Sequence, residues 1–252
     1  MIEEKKNTTL VIPYYNDSER LAEFLPGLVG ALPETVQILV SDDGSISDEQ
    51  KRLRALVLRL QGTVNNNGAK LKDPVFNERN TGKGGAVLRG WMASDQTSNL
   101  GFVDADGAVG VEEIQRGMTF FDSTDGMQWD ALFANRVKML GRNVQRSLKR
   151  HLSGRIFATI VSNLGKTSAY DTQCGFKLLR REAFTQIAPH LKTPGFAFDV
   201  ELCLLLQKFG LRTIEFPVDW RDIPGSKVRL VRDGLRMAME VIRIRRRVDS
   251  IH

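Results

Sequence analysis

Residues 100–110 read LGFVDADGAVG: an apolar run, Leu100–Val103, opens directly onto two carboxylates spaced one residue apart, Asp104 and Asp106. The same grammar recurs upstream in TLVIPYYND (9–17), VQILVSDDGS (36–45) and PVFNERNTGKGG (74–85). Each is a short β-branched run that ends in acids, Asn or Gly. Between them lie segments with helical spacing of apolar residues: Asp17 to Ala31, Ser47 to Leu60 with Ser47 placed to cap, and about Gly84 to Ser94. Strands alternating with helices predict βαβ units around a largely parallel sheet. In such sheets ligands collect beyond the carboxyl ends of the strands, so the four polar tails are expected to line one crevice.

The second half is less regular. ALFANR (131–136) predicts a strand, and 142–164 a long basic helix with Val144, Leu148, Leu152, Ile156, Ile160 and Leu164 on its apolar side. FKLLRR, a helix over Asp199–Phe209, the strand TIEFPVDW and a terminal helix from about Arg229 follow. The expected division is one domain, 1–228, in two halves of about 8–110 and 111–228. A basic amphipathic helix, 229–252, extends it, with apolar Leu230, Val231, Leu235, Ile242 and Ile244 among its arginines.

The 252 residues carry a formal charge of +6, and its distribution is uneven. Residues 131–170 hold eight basic side chains and no acid, and residues 227–247 hold eight more against Asp233 and Glu240. No stretch free of charged residues exceeds ten, well short of the roughly 20 apolar residues of a spanning helix. The start of the chain lacks the basic, apolar and small-residue zones of a signal peptide, so a cytoplasmic location is expected. Cys174 and Cys203 carry no metal or redox spacing and are expected to be reduced and buried. No helix-turn-helix, zinc-finger or RRM signature accompanies the basic residues, so nucleic acid is not an expected partner.

Asp104 and Asp106 can converge on one point while Ala105 turns away. Two such carboxylates suit a hard divalent cation, which completes its shell with water and phosphate oxygens. The alternative is a solvated turn. RNTGKGGAV (79–87) offers the backbone N–H groups of Gly82, Gly84 and Gly85, the charge of Lys83 and a helix start, all favourable for a diphosphate. It is not a GxxxxGK[ST] loop, which argues against a P-loop ATPase. Asp42 and Asp43 stand at another strand end, able to accept from a base N–H or ribose hydroxyls.

PYYND, DDGS, GKGGAV and DADG, in this order, resemble the donor half of the family 2 inverting glycosyltransferases with the GT-A fold. DTQCGFKLL (171–179), FAFDVELC (196–203) and EFPVDWRDIPGSKV (215–228) resemble the branch typified by dolichyl-phosphate β-glucosyltransferase. The resemblance implies a mostly parallel central sheet flanked by helices. It implies that Pro13, Tyr15 and Asp17 border the nucleotide, that Asp42 and Asp43 read uracil and ribose, and that Asn80, Lys83 and Gly84 approach the diphosphate. Asp104 and Asp106 would hold Mg²⁺ or Mn²⁺ against it, Asp106 most directly. Asp199 falls where related enzymes carry an acceptor-activating acid.

The acceptor decides whether a base is needed. A sugar hydroxyl must lose a proton as it attacks, whereas a lipid monophosphate is already largely ionised and needs only positioning and charge compensation. The acid-free basic stretch fits a polyprenyl phosphate, with Arg136, Arg155 and Lys227 as phosphate ligands and Gln173 assisting. The expectation is therefore transfer of a hexose, glucose first, from a UDP-sugar to a polyprenyl phosphate by an enzyme peripheral to an anionic membrane at its inner face. Two alternatives are a transferase acting on a soluble saccharide with Asp199 as base, and a catalytically silent binder of nucleotide sugar or anionic lipid.

Overall fold

A computed structural model describes residues 7–63, 68–94, 96–137, 141, 143–145, 169–223 and 230–251. The strands are β1 Thr8–Tyr14, β2 Val36–Asp42, β3 Lys70–Leu71, β4 Val75–Phe76, β5 Asn99–Val103, β6 Ala131–Asn135, β7 Val144–Gln145, β8 Phe176–Arg180, β9 Thr213–Pro217 and β10 Trp220–Arg221. The α-helices are α1 Ser18–Ala31, α2 Ser47–Thr63, α3 Lys83–Ala93, α4 Val111–Asp122, α5 Arg181–Ile187, α6 Phe198–Lys208 and α7 Leu230–Asp249.

Eight strands form one sheet in the order β3-β2-β1-β5-β8-β6-β9, with β4 also paired to β2. Every pairing in it is parallel except those of β8, which runs antiparallel to both β5 and β6. Helices cover both faces, so β1, β5, β6 and β8 are buried almost throughout instead of alternating. Leu10, Ile12 and Tyr14 of β1 join a core with α1, α2 and α4 through Leu21, Leu25, Leu53, Ile114 and Phe121. Val11 joins the opposite core with α3 and α6 through Val87, Trp91, Phe198 and Leu205.

Three expectations need correction. The basic helix over 142–164 does not begin as expected: Val144–Gln145 is a strand paired in parallel with Trp220–Arg221, and residues 146–164 lie outside the described part. TIEFPVDW is two strands in two sheets: the Val218 N–H makes the last bond to β6, at the Asn135 carbonyl, and the Trp220 N–H turns to the Asn143 carbonyl, beside β7. The terminal helix packs on α6 through Val241, Ile244 and Val248, so Ile242 lies on its outer side. No helix of the described residues is long and apolar enough to cross a membrane. Both cysteines are buried free thiols, and burial pushes Cys174 up to about 12 and Cys203 up to about 11.

Candidate active site

The carboxyl ends of β1, β2 and β5, where the crevice is expected, are neighbours in the sheet. At the end of β1, Asn16 takes a left-handed φ of 48°, and its side chain accepts from the Ile46 N–H at 2.9 Å. Tyr15 is exposed. Asp17 precedes α1 but does not cap it, binding Arg20 through Nε at 3.0 Å and through Nη2. Tyr14 donates to Glu49 at 2.6 Å, and Glu49 also accepts from the Ser18 N–H, so α2 fixes the start of α1.

Asp42 and Asp43 reach the same rim, but both are buried and the chain itself occupies their oxygens. Asp42 accepts from the Ser45 N–H at 3.2 Å and Gln50 Nε2 at 2.9 Å, holding the DDGS turn. Asp43 accepts from the Thr81 N–H and hydroxyl, both at 2.8 Å, from the Gly82 N–H at 2.6 Å and from Asn77 Nδ2 at 3.2 Å. Gly44 makes this approach feasible: at φ 73°, a Cβ there would lie 2.6 Å from the Arg79 carbonyl carbon. Asp42 thus fixes the second strand-end loop, and Asp43 clamps it to the glycine turn. That turn departs from expectation too. The Gly82 N–H is spent on Asp43 and the Gly85 N–H on the Pro194 carbonyl at 2.9 Å, so neither is the open diphosphate donor that the sequence suggested.

What α3 does present is Lys83. Its Nζ lies 2.9 Å from Asp104 Oδ1 and 3.3 Å from Asp199 Oδ2, and 4.8 Å above the Phe102 ring. Burial works against the ammonium, but the two carboxylates outweigh it and raise its pKa. Ala105 turns into the core while its neighbours stay partly exposed, as the spacing predicted. Asp106 accepts from the Ala108 N–H at 3.0 Å, and burial together with the charge of Asp104 raises its pKa. Opposite, the Gly175 carbonyl accepts from the Asp104 N–H at 2.8 Å, and a Cβ on Gly175 would stand 2.2 Å from Asp104 Oδ2. Two carboxylates one residue apart at a strand end are a fitting donor set for a hard cation. Among the described residues no third His, Cys, Asp or Glu groups with them, so such an ion would take its other ligands from water and phosphate.

Beyond β6, Arg136 is bidentate on Asp171, with Nε and Nη2 both at 2.7 Å, and lies 5.4 Å from the Trp220 ring. Burial alone would raise the Asp171 carboxyl, but Arg136 holds it down at about 2. The Gln173 N–H donates to Asp171 at 3.2 Å, while its buried side-chain nitrogen has no hydrogen-bond partner. Arg155 and Lys227 lie outside the described residues. Asp199, second residue of α6, is 1% exposed, and its oxygens are taken by Lys83 and, at 2.7 Å, by Lys177. The structure does not present it to an incoming hydroxyl.

Lys177 was not anticipated as part of the site, although a single ammonium inside the apolar strand FKLL was a visible signal. Asp171 and Asn77 carried no such signal, because each acts through a partner remote in sequence, Arg136 and Asp43; Arg20 stands three residues from its partner Asp17, a helical spacing that could have found it.

The glycosyl transferase family 2 model matches residues 9–188. The dolichyl-phosphate beta-glucosyltransferase of Dictyostelium discoideum is 32% identical over 247 residues, covering 94% of this chain and 73% of that protein. The enzyme of the same name from Saccharomyces cerevisiae is 30% identical, with 94% and 73% covered. Among solved structures, the glucosyl-3-phosphoglycerate synthase of Mycobacterium tuberculosis in complex with Mn²⁺, uridine diphosphate and glucosyl-3-phosphoglycerate superposes with a TM-score of 0.69 at 15% identity, covering 98% of this chain and 82% of that one. That likeness establishes the GT-A fold, and the family match together with the 30%-identical relatives shows that this chain is a glycosyltransferase belonging to family 2.

Proposed function

We propose that the enzyme moves a hexose, glucose first, from a UDP-sugar to a polyprenyl phosphate, with inversion at the anomeric carbon and with a divalent cation. The observation that carries this reading is the junction of Lys83, Asp104 and Asp106 at the end of β5, in a chain whose relatives are dolichyl-phosphate glucosyltransferases. Asp104 and Asp106 would hold Mg²⁺ or Mn²⁺, which supplies Lewis-acid stabilisation of charge on the departing diphosphate. Lys83 places its ammonium beside the same carboxylates, where it offsets negative charge as the bond from the anomeric carbon to the diphosphate oxygen breaks. The base and ribose would lie along the rim that Pro13, Tyr15 and Asp17 form with the turn held by Asp42 and Asp43, near Asn80.

The incoming oxygen belongs to an ionised phosphate, so no side chain has to remove a proton from it. Arg136, oriented by Asp171, and the unpartnered side-chain nitrogen of Gln173 are the described groups suited to steer it. Arg155 and Lys227 complete the proposed set. On the outer side of α7, Met239, Ile242, Arg243 and Arg246 are exposed together, a composition suited to peripheral contact with an anionic membrane at its cytoplasmic face.

The test is a panel of UDP- and GDP-sugars incubated with Mn²⁺ and polyprenyl phosphate, with mass spectrometry of the lipid fraction. A glycosylated lipid phosphate formed from UDP-glucose is expected, and Asp106→Ala should abolish it. Full activity of that variant under strict chelation would remove the metal from the proposal. Transfer only to free saccharides would remove the lipid.

A further inference from the structure

Lys177, second residue of β8, sits directly between Phe102 of β5 and Phe133 of β6 and is completely buried. Its Nζ donates to Asp199 Oδ1 at 2.7 Å and to the Cys174 carbonyl at 2.8 Å, and lies about equally over the Phe102 and Phe133 rings, at 5.1 and 5.0 Å. Asp199 turns its other oxygen to Lys83, and Lys83 reaches Asp104. Four charges of alternating sign therefore run from the sheet interior to the end of β5: Lys177, Asp199, Lys83, Asp104. The Phe102 ring floors both ammonium groups.

A buried ion pair is weak evidence for stability, because desolvation consumes much of its Coulomb gain and apolar residues of similar size often serve as well. Its effect here is geometric. A lysine has four rotatable bonds, and one exposed carboxylate would leave the Lys83 ammonium loosely placed. Asp199 cannot follow Lys83, since Lys177 and the start of α6 hold it in the core, so Lys83 is drawn to a fixed point. Gly84 lets α3 approach closely enough: a Cβ there would lie 2.4 Å from Phe198 Cβ, at the residue preceding Asp199.

We propose that Lys177 and Asp199 are positioning residues for donor binding. Lys177 anchors Asp199, and Asp199 aims Lys83 at the diphosphate beside Asp104. This rests on the UDP-sugar reading. It assigns Asp199 an action through Lys83 instead of proton transfer, and gives Lys177 a task in substrate binding.

The test is calorimetric titration of UDP with Mn²⁺ into the full chain, the Lys83→Met variant, the Lys177→Met/Asp199→Leu variant and the triple variant. Removing both members of the pair spares the fold an uncompensated buried charge, and thermal unfolding checks that each variant is folded. The double variant should bind UDP about tenfold more weakly, the scale of one misplaced charge-assisted contact. The triple variant should bind no more weakly than Lys83→Met alone, because residues acting through one another are not additive. UDP affinity unchanged in the double variant, or a loss that adds in full to that of Lys83→Met, would overturn the proposal. Should the double variant not fold, Asp199→Asn takes its place in the same cycle. In transfer kinetics Asp199→Asn should raise KM for the UDP-sugar more than it lowers kcat. A fall in kcat alone, with loss of the acidic limb of the pH profile, would instead identify Asp199 as a base. Failure of the unsubstituted chain to bind UDP at all would overturn the donor reading itself, and this proposal with it.

Discussion

Gly175 and Asp104 meet so closely that the missing Cβ becomes a functional requirement: 2.2 Å from a carboxylate oxygen is no van der Waals contact. Gly175→Ala should turn Asp104 away from Asp106 and weaken UDP binding in the presence of Mn²⁺ at least tenfold. The overpacking should cost about 1–3 kcal/mol of stability, so calorimetry and thermal unfolding are to be run together. Asp171 makes a prediction of a different kind. Arg136 holds its carboxyl at about 2, below the ordinary value of 3.8. A depressed carboxyl contributes stability above its unfolded-state value and loses it as pH falls toward the folded-state one. The window is therefore about pH 4 down to about pH 2, and the contribution at neutrality is about 2 kcal/mol. Urea unfolding should show that acid limb, and Asp171→Asn should flatten it while lowering stability at pH 7.

At the scale of elements, Glu201 links α7 to the segment beside the glycine turn. Glu201 of α6 is fully buried and accepts from the Lys192 N–H at 3.0 Å, the Thr193 N–H at 2.7 Å and the Arg247 guanidinium. The segment it holds packs on the glycine turn, since the Pro194 carbonyl accepts from the Gly85 N–H. Arg247→Met leaves the Glu201 charge to two backbone donors and should destabilise the chain by about 2 kcal/mol, read as a lower urea midpoint. Hydrogen exchange at the Thr193 N–H should quicken in the same variant. The phase of α7 was not legible in the sequence. Ile242 and Val241 are equally apolar, and only the position of α6 decides that Val241, Ile244 and Val248 face inward. Val144–Gln145 is similar: alone it extends a helical pattern, but next to Trp220–Arg221 it finds backbone partners that make it a strand.

For the whole molecule, β8 joins the two halves of the large sheet, β1–β5 and β6 with β9. It lies antiparallel between β5 and β6, and Phe176 and Leu178 point into one core while Leu179 belongs to the other. Neither half can expose this strand without opening both cores. We therefore expect one unfolding transition in which far-UV circular dichroism and the fluorescence of the buried Trp91 coincide. Separate midpoints would mean that the halves are independent units. The parallel strands were readable because each is a continuous apolar run with a polar tail. Their convergence on one crevice followed from the general rule for strand ends. The orientation of β8 was not readable, since FKLLR carries no mark of direction.

By itself the sequence determined the alternation of strands and helices, the spacing of Asp104 and Asp106, and the family motifs around Lys83, because these depend on neighbours within a few residues. Only the tertiary structure decided what those side chains do to one another. Asp42 and Asp43 became loop clamps, the glycine N–H groups found partners within the chain, Asp199 was enclosed by two lysines, and Lys177 entered the site from a strand 94 residues beyond Lys83. Charge interactions in a buried site depend on distance through space. Residues remote along the chain, once folding removes the water between them, decide which charges are spent internally and which are left for a substrate.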